Sequence, residues 1–211
     1  AAFRSQPHLT WGFYGHRLAL YRKTQPHQGF QLLKQLAEQL NVPYFVFTSN
    51  VDGQFQKAGF DPKFIYECHG SIHHIQCLNA CTNEVETSDT LKPQINSDSC
   101  QWLGNLPKCL ECGGLMRPNI LMFNDATWIS TQSDQQDKRL KKWLNQYRSP
   151  LVIEIGAGTA IPSVRMFSEQ FSPHLLRINP REAKVAKNGG MSLPYTALIA
   201  ISLIFNALIT N

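Results

Sequence analysis

The sequence predicts an α/β fold built on a parallel sheet, with a small metal-binding module set into it. Three observations predict it. Short apolar runs at Tyr44–Thr48, Leu151–Ile155 and Leu175–Ile178 read as buried strands. Helix-compatible stretches, 26–40 and 128–147, alternate with them, the pattern of a parallel α/β sheet. Between these regions, residues 71–116 change character: strand-like pieces alternate with polar loops, and cysteines fall in close pairs.

The 211 residues suit one large domain, or one domain with a small insert, and 43% hydrophobic content supplies a sizeable core. The net charge of +5 comes without any run of five or six like charges. That gives little support to nucleic-acid binding, and an anionic ligand or a peptide partner fits equally well.

Each element has its own signal. Residues 1–25 are aromatic and basic; Pro7 and Gly12 argue against a regular start, and a helix is expected around Tyr14–Tyr21. Pro26 suits the first turn of a helix to about Leu40, with Phe30, Leu33, Ala37 and Leu40 on one face. Pro43 follows its end, and the Tyr44–Thr48 strand leads into Thr48-Ser49-Asn50-Val51-Asp52-Gly53. Gln54–Ala58 reads as a short helix stopped by Gly59, and Lys63–Cys68 as a second strand running into Glu67-Cys68-His69-Gly70. After an apolar run at Ile120–Phe123, the 128–147 helix places Leu140, Trp143 and Leu144 on one face. The Leu151–Ile155 strand ends in Gly156-Ala157-Gly158-Thr159, and the Leu175–Ile178 strand in Asn179-Pro180. Leu193–Ile209 is uncharged, but Pro194, Thr196, Ser202 and Asn206 interrupt it. It reads as a buried terminal helix rather than a membrane span.

The chemistry is concentrated in four places. Cys77-x3-Cys81 and Cys109-x2-Cys112 each bring two thiols together on a tight turn. Two such pairs close a tetrahedral, fully ligated zinc site, with His73 and His74 as alternative ligands. Cys68 and Cys100 are left over as buried thiols. The glycines of the Gly156–Thr159 turn suit close approach of a phosphate or ribose, helped by a following helix N-terminus, and Asn179 stands at the next strand end. Asn50, Asp52 and His69 are residue types that grip a ligand and move a proton; the competing reading of His69 is a satisfied structural histidine.

Taken in order, Thr48–Gly53, Glu67–Gly70, the two cysteine pairs, Arg117-Pro118 with the Ile120–Phe123 run, Gly158-Thr159 and Asn179 resemble the sirtuins, NAD-dependent protein-lysine deacylases. The resemblance covers nearly the whole chain. It implies a Rossmann-like NAD-binding domain, residues 1–70 and 117–211, with a zinc module at 71–116, and NAD meeting acyl-lysine in a cleft between them. It implies His69 as the catalytic base on a ribose hydroxyl, and Asn50 and Asp52 at the nicotinamide ribose. Gly158, Thr159 and Asn179 then hold the adenosine half. Phe3 and Arg4 resemble the end of a loop that covers NAD. Ile120, Met122 and Phe123 match the segment that pairs with an acylated-lysine protein or peptide and walls its channel. The zinc is one structural ion. The implied products are free lysine, nicotinamide and an acylated ADP-ribose.

The sequence departs from the sirtuin pattern at Ser49, Phe55 and Ala160, where glutamine, histidine and serine are usual. The family's first strand and glycine-rich loop would precede Phe3; the expectation is therefore a fragment that binds NAD poorly. ADP-ribosyl transfer, NAD hydrolysis and a non-catalytic zinc-containing binding module are the competing functions. No signal peptide is visible, so the expected location is the cytoplasm, with no membrane and no direct nucleic-acid partner.

Overall fold

A computed structural model of the chain describes residues 2–186 and 189–209. They form two compact units: residues 2–25, 48–57 and 66–137 belong to the first, and 26–47, 58–65, 138–186 and 189–209 to the second. Helices α1 (Ala2–Ser5) and α2 (Pro7–Lys23) open the first unit. The start of the chain is thus regular, against expectation. Pro7 sits at the first position of α2, where its missing N–H costs nothing. Gly12 and Gly15 are tolerated because the helix lies against other backbone and rings: a Cβ on Gly12 would stand 1.8 Å from the Cys100 carbonyl oxygen.

In the second unit, α3 (Gln28–Gln39) starts two residues after Pro26, because the His27 ring caps it, accepting from Gly29 N at 2.9 Å. Its most buried side chain is Leu36, not one of the four expected, and Leu40 is 42% exposed. Strand β1 (Val46–Thr48) is shorter than the apolar run that announced it. Asp52 Oδ1 accepts from Gln54 N and so starts α4 (Gln54–Lys57), which Gly59 follows at φ +86°. A 3-10 turn at Pro62–Phe64 takes the first half of the expected second strand, leaving β2 (Ile65–Glu67), which pairs with β1.

Strand β3 (Gly70–Cys77) is the axis of the first unit, flanked antiparallel by β4 (Val85–Thr87) and later by β7 (Met116–Ile120). Between them come the small pair β5 (Ile95–Asn96) and β6 (Gln101–Trp102). Gly70 has φ +75°, and a Cβ there would stand 2.1 Å from the Asn119 carbonyl, so only glycine lets β7 close on β3. Phe3, Trp11, Ile75, Trp102 and Met116 fill the core, with the Trp11 indole donating to Met116 O at 2.9 Å. A second cluster is Leu18, Ile72 and Ile120.

Helix α5 (Thr131–Gln146) buries Leu140, as its pattern predicts. In the second unit β8 (Val152–Ile155), α6 (Ser163–Ser168), β9 (Leu175–Ile178) and β10 (Met191–Leu193) follow. The three strands are parallel, in the order β10-β9-β8. Phe47 stacks on Phe167 at 4.1 Å between centroids. The Arg177 guanidinium of β9 meets Glu154 of β8 at 2.6 Å, both side chains buried, and also Glu169 at 2.9 Å. Finally α7 (Ala197–Ile209) packs against α3. It is only partly buried: Ala200 and Ile201 are enclosed, whereas Ile199, Leu203 and Leu208 are about half exposed. No helix among the described residues is long and apolar enough to cross a membrane.

Candidate functional site

Local backbone bonding assembles the first group of expected site residues. Cys68 N donates to Thr48 O at 2.9 Å and Ile72 N to Val51 O at 3.0 Å, so the turn after β1 and the turn after β2 lie side by side. Asn50 and Asp52 are on one turn and His69 on the other. Leu121 N donates to His69 O at 2.9 Å, and Gly70 pairs with Ile120 in the β3–β7 ladder. Asn50, Asp52, His69 and Ile120 are therefore neighbours through main-chain bonds, whatever their side chains do.

Burial lowers the His69 pKa below its ordinary 6.5, and the backbone of Ser49 only partly opposes this. A cavity of about 350 Å³ beside these turns is lined by Asp52, Gln56, Glu67, Ser71, His73 and His74. Glu67 went unnoticed in the sequence as more than a neighbour of His69. It is 4% exposed, its Oε1 has no hydrogen-bond partner, and burial raises its carboxyl pKa, helped slightly by Asp52 and opposed by Gln56, Ser71 and Gln136. The signal was available: a glutamate at the end of an apolar strand is either paired or functional.

The segment after β7 is held from below by a buried polar network. Gln76 Oε1 accepts from Asn119 Nδ2 (2.9 Å) and Ile129 N (3.0 Å), and Gln76 Nε2 donates to Thr127 O at 2.7 Å. Arg117 meets Asp125 at 2.7 Å, nearly out of solvent. Above these ties, Ile120 is buried, Met122 packs against the core and Phe123 is 86% exposed. Phe3 is a core residue, stacked on Tyr14 at 5.5 Å with rings 17° from parallel, and Arg4 donates to Asn79 Oδ1 at 2.8 Å.

The second group is assembled in the second unit, at the carboxyl ends of β8 and β9. Asn179 Nδ2 donates to Ala157 O at 3.0 Å, fastening one strand end to the other. The Thr159 hydroxyl donates to Glu182 Oε1 at 2.7 Å, and Arg165 donates to Ala157 O and to Glu182 O. Over Gly156 a Cβ would meet nothing within 4 Å, and over Gly158 only the Glu182 carboxylate, at 3.9 Å. The turn is thus a backbone cradle that lies open, the form needed where a ligand approaches main chain. The helix expected directly after it starts only at Ser163.

The four paired cysteines converge in the first unit. All four sulfurs lie within 4.8 Å of one another, with Cys77–Cys81 at 3.4 Å, Cys81–Cys109 at 3.5 Å and Cys77–Cys112 at 3.6 Å. Asn79 N donates to Cys77 Sγ and Gly114 N to Cys112 Sγ, both at 3.4 Å, which is the bonding that stabilises thiolates on a knuckle. Burial pushes the Cys77 thiol up, but the backbone donors of Cys81 and Asn79, with the Cys81 and Cys112 thiols, outweigh it and bring it to about 7. Four converging soft donors, with no fifth group among the described residues, fit a closed structural zinc site. His73 and His74 lie mid-strand in β3 instead, His73 against Asp52 O at 3.0 Å; neither belongs to the cysteine group. Cys100, expected buried, is exposed, and Cys68 is only partly buried.

Known proteins resemble this chain in sequence and in fold. An NAD-dependent protein deacylase of Aquifex aeolicus is 26% identical over 209 residues, 98% of this chain and 79% of its own length. An NAD-dependent protein deacetylase of Saccharolobus solfataricus is 31% identical over 160 residues, 75% of this chain and 56% of its own length. Among solved structures, a Sir2 homologue in complex with ADP-ribose superposes with a TM-score of 0.73 at 22% identity, covering 98% of this chain and 76% of that one. A Sir2 protein bound to an acetylated peptide superposes at 0.70 with 18% identity, over 98% of this chain and 80% of its own. The profile of the Sir2 family matches residues 1–147, more than half of the sequence, and the chain belongs to the Sir2 family.

Proposed function

We propose that the chain is an NAD-dependent protein-lysine deacylase, with residues 1–70 and 117–211 as the Rossmann-like cofactor-binding part and 71–116 as its zinc module. The observation that carries the reading is the main-chain bonding of the His69 turn to Leu121 on one side and to the Asn50–Asp52 turn on the other. It sets a histidine, two cofactor-type polar residues and a segment suited to peptide pairing within one small region. The open backbone cradle at Gly156–Gly158 fits the adenosine half of a dinucleotide.

In this reading Asn50 and Asp52 orient the nicotinamide ribose, and Gly158, Thr159 and Asn179 hold the adenosine end. NAD, when bound, supplies an activated sugar carbon and receives the acyl group. Burial keeps the His69 imidazole neutral at physiological pH, the form in which it accepts a proton as a general base. Ile120, Met122 and Phe123 offer an extended edge and an exposed aromatic to an acylated-lysine peptide. Phe3 supports the core beneath, and Arg4 is tied to Asn79. The zinc, remote from this chemistry, holds the module together. Clustered thiols of this kind suit a reducing compartment, in keeping with a cytoplasmic location, and no part is assigned to nucleic acid or membrane.

Mass analysis after incubation with NAD and an acetyl-lysine peptide tests the reading. The expected products are deacetylated peptide and acetyl-ADP-ribose, with a loss of about 10²- to 10⁴-fold in His69→Ala. ADP-ribosylated protein or free ADP-ribose as the main product would instead establish glycosyl transfer or NAD hydrolysis. Full activity in His69→Ala would remove the catalytic assignment.

A further inference from the structure

We propose that the outer face of α2 is a docking surface, and that its partner is an acidic amphipathic helix of another protein. Helix α2 is apolar on two opposite sides. At about 100° per residue, Trp11, Gly15 and Leu18 fall on one side, and Leu9, Phe13 and Leu20 on the other. The first side is buried: the Trp11 indole donates to Met116 O at 2.9 Å, and Leu18 packs with Ile72 and Ile120. The second side is not, for Leu9, Phe13 and Leu20 are 41, 47 and 45% exposed. A helix that is apolar all round is ordinarily covered all round.

The shape of this stripe suits a helix. From Leu9 to Leu20 it runs three turns, about 16 Å, within an arc of about 40°. Its mount is firm, because the inner side fixes α2 on β3 and β7. Phe13 is also held from its flanks: the Tyr14 ring meets it edge-on at 5.1 Å, and the Arg17 guanidinium lies over it at 4.7 Å. Little side-chain freedom is then lost on docking.

Charge decides the partner. His16, Arg17 and Lys23 are exposed beside the stripe, and no aspartate or glutamate precedes Glu38 in the chain. Apart from the Phe13 ring, Arg17 reaches the Tyr21 hydroxyl, at 3.4 Å. Neither Arg17 nor Lys23 forms an ion pair among the described residues. Apolar side chains flanked by unpaired cations complement a helix that carries carboxylates beside its own apolar stripe. A second copy of α2 brings the same cations and no acid to meet them. An anionic membrane calls for a cluster of about four or more Lys and Arg, whereas this face offers Arg17 and Lys23.

The test uses the isotope-labelled full chain and two synthetic helical peptides of about four turns. Both carry leucines at alternating spacings of three and four; one has glutamate and the other lysine at the flanking positions. The glutamate peptide is expected to shift the α2 amide signals in NMR and to bind about tenfold or more tightly than the lysine peptide. Phe13→Ser is expected to weaken it about tenfold. Arg17→Glu combined with Lys23→Glu is expected to reverse the preference, read in a chain whose unmoved β3 and β7 signals show it folded. Equal binding of the two peptides, no shift with either at millimolar concentration, or an unchanged preference in the double variant overturns the inference. Sedimentation with phosphatidylserine vesicles, or dimerisation of the chain, that is lost in Phe13→Ser while the glutamate peptide does not bind assigns the face to a membrane or to a second copy, and overturns it as well.

Discussion

At the scale of single residues, burial sets the properties that matter. His69 is half-buried and its pKa is lowered, chiefly by loss of hydration. A general base acts in its neutral form. A lowered pKa therefore means that deacylation persists as pH falls through 6.5 and declines only below it. The kcat/KM profile against pH is expected to show its acid limb below the ordinary histidine value; a limb above about 6.5 would contradict this. The same shift makes folding less favourable in acid, because the unfolded chain binds the proton more readily. The identity of His69 was legible in the sequence, and its titration was not. The lowering comes from chain segments that pack around the turn and are distant in sequence.

The elements show where local propensity yields to packing. Gly12 and Gly15 lie inside α2, where alanine would ordinarily stabilise by about 1 kcal/mol. Here the sign reverses. The atom a Gly12 Cβ would strike is a backbone carbonyl, which has no rotamer to move away. Gly12→Ala is expected to cost about 3 kcal/mol or more, measured by urea unfolding; a neutral or stabilising effect would show that α2 lies farther from Cys100. In the second unit, β8 and β9 depend on the Glu154–Arg177 pair, which also draws Ser168 to the carboxylate. Arg177→Met leaves Glu154 buried without its cation and is expected to cost about 3–5 kcal/mol. Adding Glu154→Gln should restore part of that loss. Additive effects of the two substitutions would show that the pair is not coupled.

At the scale of the whole molecule, the zinc ligands and the parallel sheet belong to different compact units. Chelation is therefore expected to act on one of them. Hydrogen exchange after treatment with a strong chelator should lose protection between Cys77 and Cys112, because metal binding is part of the folding free energy there. Protection of β8, β9 and β10 should persist. Simultaneous loss in both would show that the units unfold as one.

The sequence by itself determined the α/β class, the four thiol ligands and the order of the site-bearing turns. These follow from short-range regularities: apolar runs, glycine punctuation and cysteine spacing act over a few residues. Tertiary structure alone decided the rest. Phe3 became core because Trp11 and Tyr14 pack on it, and His73 and His74 were drawn into β3 and away from the cysteines. Glu67 lost a partner for one oxygen on burial, and Glu182 was carried over the Gly158 turn by Asn179 and Arg165. Each of these depends on segments far apart in the chain meeting in space, which no local pattern encodes.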